Sequence, residues 1–354
     1  MTGSGVGRRG VLAGGAASAV FACLPAAAGA TPARVNGAFG LRTTAEGPAT
    51  LRFEEEGGGT IDPALAWHLG SNSKAMTALL YAVLVEEGVC RWGATLGELF
   101  PEIAVYPALA SATVEELMAH AAGLTDEGIT GFWLMARRMD RATPTEQRLA
   151  FTRERLARPT GGERGAFAYA NANYIVLGAA IEQATGESWE EALRRRIFAP
   201  LGLESAGFGA PTQQALWGRQ TFGKRVVPAD PAGFADNPPV LGPAGTVHMA
   251  PADYGAFLAL FLRTGAPLLA PANFRHLLTP PRRELFYAGG WALVGGQADG
   301  DRFLMHDGSN TMWYVRALVD RATGLAYAAG TNRGGDAALS AVERMIASLR
   351  AADA

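Results

Sequence analysis

Lysine is nearly absent from this chain of 354 residues, which contains only Lys74 and Lys224 beside 29 arginines. Arginine stays protonated in proteins, whereas a lysine shielded from water can lose its proton near neutral pH and act as a base. A lysine retained in this composition therefore suggests a role that arginine could not fill. Lys74 follows Ser71 by three residues at the start of a predicted helix, so its amine can reach the serine hydroxyl.

The Ser71–Lys74 spacing is open to two interpretations. In the first, the amine activates Ser71 as a nucleophile, Gly70 allows a tight approach, and the helix N-terminus supplies half of an oxyanion hole. In the second, Lys74 is a solvated surface group, and Ser71 or Ser73 only caps the helix. The capping interpretation is weaker for Ser71, because a lysine that faces the core needs a polar partner.

Cysteine and histidine are also scarce. Cys23 and Cys90 are the only cysteines, and Cys23 falls in a predicted leader, so no internal disulfide is expected in the mature chain. The five histidines form neither a His-Glu-x-x-His pair nor a cysteine–histidine cluster, so no metal site is predicted. Neither a Gly-x-Ser-x-Gly elbow nor a phosphate-binding loop is present.

Neither sign of charge dominates, because the formal net charge is −2 and charged residues make up 18 % of the chain. A nucleic-acid-binding protein would carry a basic stripe, and this sequence has none. Nucleic acid is therefore not an expected partner. The chemistry expected of Ser71 and Lys74 calls instead for a small-molecule or peptide substrate, and the sequence leaves the oligomeric state open.

The only leader-like apolar run lies at the N-terminus. Arg8-Arg9 precede an apolar stretch from Val11 to Leu24, and Ala28-Gly29-Ala30 fits a small-residue cleavage site. Residues 1–30 are therefore predicted to be an export signal of the twin-arginine type, which implies a periplasmic or secreted protein. The stretch is too short and too rich in alanine and glycine for a membrane span. A lipoprotein anchored through Cys23 is the weaker alternative.

Residues 31–354 are predicted to form one domain with strands at both ends. Short apolar or aromatic stretches bounded by turn residues predict strands over 35–43, 49–56, 285–296, 302–306, 311–320 and 325–331. Helices are predicted over 71–87, 173–184, 251–263 and 337–349, and capping-box signals begin at Thr113, Thr143 and Ser188.

This order predicts a mixed α/β fold of the α+β type. One antiparallel sheet would be built from both chain ends and flanked by helices, with a helical lobe inserted between them. The sheet lobe would comprise residues 31–70 and 245–354, and the helical lobe residues 71–244. The site would lie at the seam between the lobes.

Two further elements carry candidate chemistry. Tyr169 lies just before a predicted helix, and a tyrosine near a lysine can have its phenol pKa lowered and relay the serine proton. Asn171 could donate to a substrate carbonyl and hold Lys74. The alternative is a core tyrosine beside an asparagine cap.

The second element is the segment His306-Asp307-Gly308-Ser309 at a strand end. Gly308 would let a substrate lie against the strand edge, and the N–H of Ser309 could complete the oxyanion hole. His306 would line the pocket as a donor, or as a cation at lower pH. The alternative for His306 is a satisfied structural histidine.

The ordered motifs Ser71-x-x-Lys74, Tyr169-x-Asn171 and His306-x-Gly308 resemble those of the penicillin-recognising serine hydrolases. The nearest branch resembles class C β-lactamases, D-alanyl-D-alanine carboxypeptidases and related esterases. The resemblance extends over nearly the whole mature chain, because similar strings occur at residues 84–88, 120–124, 200–203, 243–245 and 331–333.

The resemblance implies a serine β-lactamase/transpeptidase-like fold and an acyl-enzyme route. Ser71 would attack a carbonyl, and Lys74 and Tyr169 would share the proton transfer. The substrate-binding residues implied are Asn171, His306, Gly308 and Ser309. No metal or organic cofactor is expected.

The third motif departs from the Lys-Thr-Gly that class C β-lactamases typically carry. A histidine at position 306 resembles some carboxypeptidases, aminopeptidases and esterases of the family. Asp307 adds negative charge near the expected carboxylate site, which disfavours β-lactam turnover if its side chain faces the pocket. The predicted function is an exported serine hydrolase that cleaves an ester or amide. The alternative is a non-catalytic protein on the same fold that binds penicillin or cell-wall peptides.

Overall fold

The computed structural model describes five stretches of the chain: residues 37–55, 60–213, 216–222, 225–295 and 303–352. The predicted export signal, Cys23 and Lys224 lie outside the described residues. Within the described stretches, no helix combines the length and the apolar character that crossing a membrane requires.

Strands occupy both ends of the described chain, with a few short ones between the helices. They are β1 (Gly37–Thr44), β2 (Gly47–Glu55), β3 (Trp67–His68), β4 (Gly207–Phe208), β5 (Arg219–Phe222), β6 (Arg225–Pro228), β7 (Val247–Met249), β8 (Tyr287–Ala288), β9 (Trp291–Val294), β10 (Phe303–Ser309), β11 (Tyr314–Asp320) and β12 (Leu325–Thr331).

The largest sheet among the described residues has seven strands in the order β2-β1-β12-β11-β10-β9-β8, and all neighbours are antiparallel. The first strand of the chain, β1, pairs with the last, β12, so that Ala38 lies opposite Thr331. The predicted antiparallel sheet built from both chain ends is thereby confirmed.

Helices fill the middle of the chain and cover both faces of the sheet. They are α1 (Ser73–Glu86), α2 (Leu96–Leu99), α3 (Pro107–Ala110), α4 (Val114–Met118), α5 (Gly131–Met139), α6 (Pro144–Leu156), α7 (Asn171–Thr185), α8 (Trp189–Leu193), α9 (Ala199–Leu201), α10 (Gly242–Gly245), α11 (Pro251–Leu262), α12 (Pro271–Leu277) and α13 (Asp336–Ala351). The three predicted capping boxes are present at the N-termini of α4, α6 and α8.

The two faces of the sheet have different partners because side chains alternate along each strand. One face joins the main core, in which α1 and α11 are buried. The other face packs on α13 through a separate cluster that contains Val342, Met345, Ile346 and Leu349. A residue's parity along β10 therefore decides whether it faces the core or α13.

Among the predicted element bounds that change in the structure, three involve segments around the candidate site residues. The stretch 285–296 is two strands, because Gly289 and Gly290 turn the chain with φ of +56° and +84°. Helix α7 begins at Asn171, two residues earlier than expected, and the strand expected over 302–306 continues to Ser309. The third motif therefore lies within β10, where cross-strand pairing with β11 continues to its last residue.

Candidate active site

Ser71 lies in a single 3₁₀ turn, Gly70–Asn72, that leads directly into α1. Gly70 has φ of +52°, and a Cβ on it would lie 2.3 Å from the backbone nitrogen of Ser309. Only glycine therefore lets this turn pack against β10. Ser71 is half-buried, whereas Ser73 is fully buried and donates to the Gly70 carbonyl at 2.8 Å. Ser73 thus takes the structural serine role at this helix start.

The Lys74 side chain is fully buried, and its Nζ makes three polar contacts. Nζ lies 3.0 Å from Ser71 Oγ, 2.9 Å from Asn171 Oδ1 and 2.7 Å from the Ala244 carbonyl oxygen. Asn171 Oδ1 and the Ala244 oxygen can only accept hydrogen bonds. A neutral Lys74 amine therefore donates its two N–H groups to Asn171 Oδ1 and the Ala244 oxygen, and its lone pair points toward the Ser71 hydroxyl.

Burial also makes the neutral amine accessible near pH 7. Loss of hydration disfavours the charged form and lowers the pKa of Lys74 from 10.5 to about 7, against the opposing charge of Asp126. Lys74 can thus hold or release a proton at physiological pH, as a general base must.

Asp126 orients the asparagine that holds Lys74. One carboxylate oxygen accepts from Asn171 Nδ2 at 2.9 Å, and the other accepts from the Ala172 N–H at 2.9 Å, at the N-terminus of α7. Because the amide nitrogen of Asn171 is committed to the carboxylate, its oxygen must point at Lys74. The chain Asp126–Asn171–Lys74 therefore fixes the direction of the amine.

Tyr169 lies beside the same amine, with Lys74 Nζ 4.8 Å from the centroid of its ring. The expected lowering of its phenol pKa is wrong. Desolvation raises the pKa of Tyr169 above its ordinary value, and interaction with Ser71 only partly offsets this. Tyr169 is thus a neutral phenol at pH 7, able to relay a proton through its O–H but not to act as a phenolate.

His120 supports Tyr169 from behind. The buried His120 ring lies 4.3 Å from the Tyr169 ring, centroid to centroid, and its Nδ1 accepts from the Ala170 N–H at 3.2 Å. Burial and the nearby Lys74 hold the pKa of His120 well below its usual value. The neutral imidazole therefore fixes the segment that carries Tyr169 and Asn171.

His306 is buried under the site, where its Nε2 lies 2.8 Å from the Tyr287 hydroxyl. Burial and the nearby Lys74 lower the pKa of His306 to about 3. The expectation that His306 becomes a cation at moderately low pH is therefore wrong. At neutral pH it presents an uncharged ring.

Asp307 faces away from His306, toward α13. Its carboxylate forms a two-point ion pair with Arg316, directly across the strand pair, at 2.6 Å and 2.7 Å. Arg316 also contacts Glu343 of α13 at 3.0 Å. The negative charge of Asp307 is thus balanced outside the pocket.

Gly308 and Ser309 meet the turn that carries Ser71, the candidate nucleophile. A Cβ on Gly308 would lie 1.9 Å from the Leu69 carbonyl oxygen and 2.5 Å from Asn72 Nδ2, so close packing by itself requires glycine. The Ser309 hydroxyl donates to the Trp313 carbonyl at 2.7 Å. Any contact of Ser309 with a substrate would therefore come from its backbone N–H, as the sequence predicts.

Gly308→Ala is expected to lower kcat by about 100-fold and stability by about 1–3 kcal/mol. The added methyl displaces β10 or the Ser71 turn, and a shift near 1 Å in a catalytic group has an effect of this size. Thermal unfolding and steady-state kinetics measure the two effects. Gly161→Ala is the control, because a Cβ there meets nothing nearer than Glu127 Oε2 at 3.7 Å. Equal behaviour of the two variants would contradict the packing argument.

Comparison with known proteins places this chain in a family. Residues 50–351 match the family model described as Beta-lactamase. The chain belongs to the beta-lactamase family. A curated relative, penicillin-binding protein 4 of Amycolatopsis lactamdurans, is 30 % identical over 219 residues, which is 59 % of this chain and 53 % of that protein. The match therefore spans about half the length of that relative.

Solved structures share the fold of this beta-lactamase family member. The D-amino acid amidase of Ochrobactrum anthropi SV3, complexed with L-phenylalanine amide, has a TM-score of 0.67 at 18 % identity, covering 91 % of this chain and 95 % of the amidase. The D-stereospecific amidohydrolase of a Streptomyces species has a TM-score of 0.65 at 21 % identity, covering 86 % and 92 %. The predicted serine β-lactamase/transpeptidase-like fold is confirmed.

Several residues of the site in this family member were not found from the sequence. Asp126 follows the recognised string His120-x-x-Gly-Leu by two residues, and that spacing was the available signal. The Ala244 carbonyl lies in another recognised string, Pro243-Ala244-Gly245, but a backbone acceptor has no side-chain signature. Tyr287 on β8 contacts His306 on β10 because both strands pair with β9, and this pairing has no signal in the sequence. Among the described residues, no group of three His, Cys, Asp or Glu side chains could hold a metal ion.

Proposed function

We propose that this protein is a serine hydrolase that forms an acyl-enzyme on Ser71 and cleaves an ester or amide. The observation that carries the proposal is the buried Lys74 amine, which lies 3.0 Å from Ser71 Oγ while two acceptors engage its N–H groups. A surface lysine beside a capping serine would show neither the burial nor the lowered pKa.

The arrangement supports a two-step acyl transfer. Ser71 Oγ attacks the carbonyl carbon while its proton moves to the neutral Lys74 amine, and the backbone N–H groups of Ser71 and Ser309 hold the oxyanion. The Tyr169 O–H then donates a proton to the leaving group as the carbonyl re-forms and regains one from Lys74. Attack of water on the acyl-enzyme, with the proton returned to Ser71, completes the cycle.

The charge of the third motif favours substrates without a carboxylate at this position. His306 is neutral at working pH and offers no cation to a substrate carboxylate. Asp307 pairs with Arg316 on the far face of the sheet, so the condition under which its charge would disfavour β-lactams is not met. A motif lysine at this position would offer a cation, and charge-assisted hydrogen bonds contribute about 1.5–3 kcal/mol. We therefore place acyl esters and D-amino acid amides ahead of β-lactams, a choice that the structurally similar amidases also support.

The substrate choice is tested by comparing kcat/KM for p-nitrophenyl acetate, D-phenylalanine amide and nitrocefin. We expect the best ester or amide to exceed nitrocefin by about 10- to 100-fold, the equivalent of the missing charge-assisted contact. Intact-protein and peptide mass spectrometry should locate an acyl adduct on Ser71. Faster nitrocefin hydrolysis would reverse the order. A stoichiometric adduct without turnover would indicate a penicillin-binding role instead.

Export is proposed separately from the chemistry. Residues 1–30 carry the pattern of a twin-arginine signal, so the mature protein would act outside the cytoplasm. Substitution of Arg8 and Arg9 by lysine should retain the protein in the cell. Exported protein whose N-terminal sequence begins before residue 31 would contradict cleavage after Ala30.

A further inference from the structure

A buried histidine–carboxylate pair, outside the three motifs, lies behind the Ser71 turn. The fully buried His68 on β3 places Nε2 2.8 Å from Oδ1 of Asp236, whose side chain is also buried. On the other side of the ring, His68 Nδ1 accepts the Gly70 N–H at 3.1 Å. Because Nδ1 accepts a backbone hydrogen, the proton of a neutral ring lies on Nε2, the nitrogen that contacts Asp236.

Asp236 also reaches the opposite flank of the site. Its Oδ1 accepts from Asn310 Nδ2 at 3.0 Å, and Asn310 directly follows Ser309. Asn310 Oδ1 in turn accepts the N–H groups of Met312 and Trp313 at 3.2 Å and 3.1 Å, which closes the turn after β10. One carboxylate therefore links the residue before Ser71 to the residue after Ser309.

The loop that carries Asp236 is itself anchored. Arg138 on α5 donates to the backbone carbonyls of Asp236 and Asn237, and the Asn237 N–H donates to Asp236 Oδ1 at 2.7 Å. The carboxylate is thus held in place from its own segment. A displacement of the Ser71 turn relative to β10 would have to break a contact to this fixed point.

We propose that His68 and Asp236 are positioning residues that hold the two backbone segments of the oxyanion hole at a fixed separation. The inference rests on the proposed function, in which the N–H groups of Ser71 and Ser309 bind the oxyanion. The segments are in direct contact, because a Cβ on Gly70 would lie 2.3 Å from Ser309 N. Donors to an oxyanion must reach it within about 2.7–3.1 Å, so small shifts of either segment weaken both contacts.

The test compares His68→Ala and Asp236→Ala with wild type on the best ester substrate. We expect kcat to fall about 10- to 100-fold, less than the loss of a whole oxyanion donor, with KM changed less than about threefold. The double variant should be little worse than either single variant, because the two residues act as one unit.

Two further variants separate positioning from general stability. Asp253→Asn is the control. The Asp253 carboxylate on α11 accepts hydrogen bonds from the Ser205 hydroxyl at 2.5 Å and the Ser205 N–H at 2.8 Å, and neither residue belongs to the three motifs. The kcat of this variant should therefore stay near the wild-type value. His68→Asn should recover part of the kcat, because an asparagine oxygen can accept the N–H two residues ahead in an Asx turn. If alanine at either position prevents folding, His68→Asn should still lower kcat by at least about threefold.

Hydrogen exchange supplies a readout that does not depend on turnover. Amides of residues 69–72 and 309–313 should exchange faster in His68→Ala and Asp236→Ala than in wild type or Asp253→Asn. Wild-type protein that forms no acyl adduct would remove the proposed function, and the inference would fall with it. The inference would be overturned, and the proposed function kept, by a different result. In that result the wild type is active, and the folded alanine variants keep kcat within about threefold and show unchanged hydrogen exchange.

Discussion

Ser71→Ala is expected to lower kcat by about 10⁴-fold or more and to abolish labelling by a fluorophosphonate probe. Removal of a nucleophilic serine takes away the covalent route, and only binding and oxyanion contacts remain to accelerate the reaction. Ester hydrolysis and probe labelling followed by mass spectrometry measure the two effects. Because Ser71 is half-buried and Lys74 keeps its contacts to Asn171 Oδ1 and the Ala244 carbonyl in the variant, Ser71→Ala should fold with near wild-type stability.

Ser73→Ala provides the matched control two residues away. The Ser73 hydroxyl donates to the Gly70 carbonyl and accepts the Val247 N–H at 3.0 Å, so it ties the turn to β7. Its removal should cost about 1–3 kcal/mol of stability while probe labelling of Ser71 is retained. If labelling survives in Ser71→Ala and disappears in Ser73→Ala, the nucleophile has been misassigned.

Lys74→Arg is expected to lower kcat by about 10³-fold although it keeps a positive charge. Arginine does not release its proton at any working pH, so it cannot accept the proton of Ser71. General acid–base groups contribute about 10²–10⁴-fold, and the larger guanidinium must also fit a fully buried site. Lys224→Arg makes the same exchange at the only other lysine of the chain and should leave kcat unchanged. Comparable activity in the two variants would remove the base role.

The pH dependence of the rate tests the role of Lys74 as general base independently of any substitution. The pKa of Lys74 is about 7, so the neutral amine is the minor form below pH 7 and the major form above it. The second-order rate constant kcat/KM should therefore rise about tenfold per pH unit below pH 7 and level off above about pH 8. The residual activity of Lys74→Arg should lack this inflection. A wild-type rate that falls as pH rises through 7 would mean that the ammonium is the active form.

The same shift also affects stability, in a direction that can be checked separately. Between pH 7 and 10.5 the unfolded chain holds a proton on Lys74 that the folded chain has released, so stability should rise with pH in this range. Below pH 7 both states are protonated, and the cost of burying the charge is fully present. Lys74→Met should lose this pH dependence in denaturant unfolding.

The local features of the fold could be predicted from the sequence because they depend on neighbouring residues. Capping boxes, glycine stops and alternating apolar residues are read within a few positions, and three capping boxes appear where expected. The bounds changed where distant contacts intervened. At Gly290, for example, a Cβ would lie 2.4 Å from the backbone of Ala75, so the turn between β8 and β9 is set by packing on α1.

The candidate site divides in the same way. The residue types at Ser71, Lys74, Tyr169 and Asn171 are visible as motifs, and the structure brings their side chains around one amine. Their ionisation could not be read from the motif, because burial depends on the whole fold. Desolvation lowers the pKa of Lys74 but raises that of Tyr169, so a tyrosine expected to be activated by its lysine remains a neutral phenol.

By itself, the sequence determined the family, the sheet formed from both chain ends, and the candidate nucleophile with its lysine. Only the tertiary structure decided which charges act in the site. Cross-strand register pairs Asp307 with Arg316 on the α13 face, and burial keeps His306 neutral. The packing of β3 against a distant loop brings His68 to Asp236. Motifs record residue types at short spacing, whereas charge and orientation depend on groups that meet only when the chain has folded.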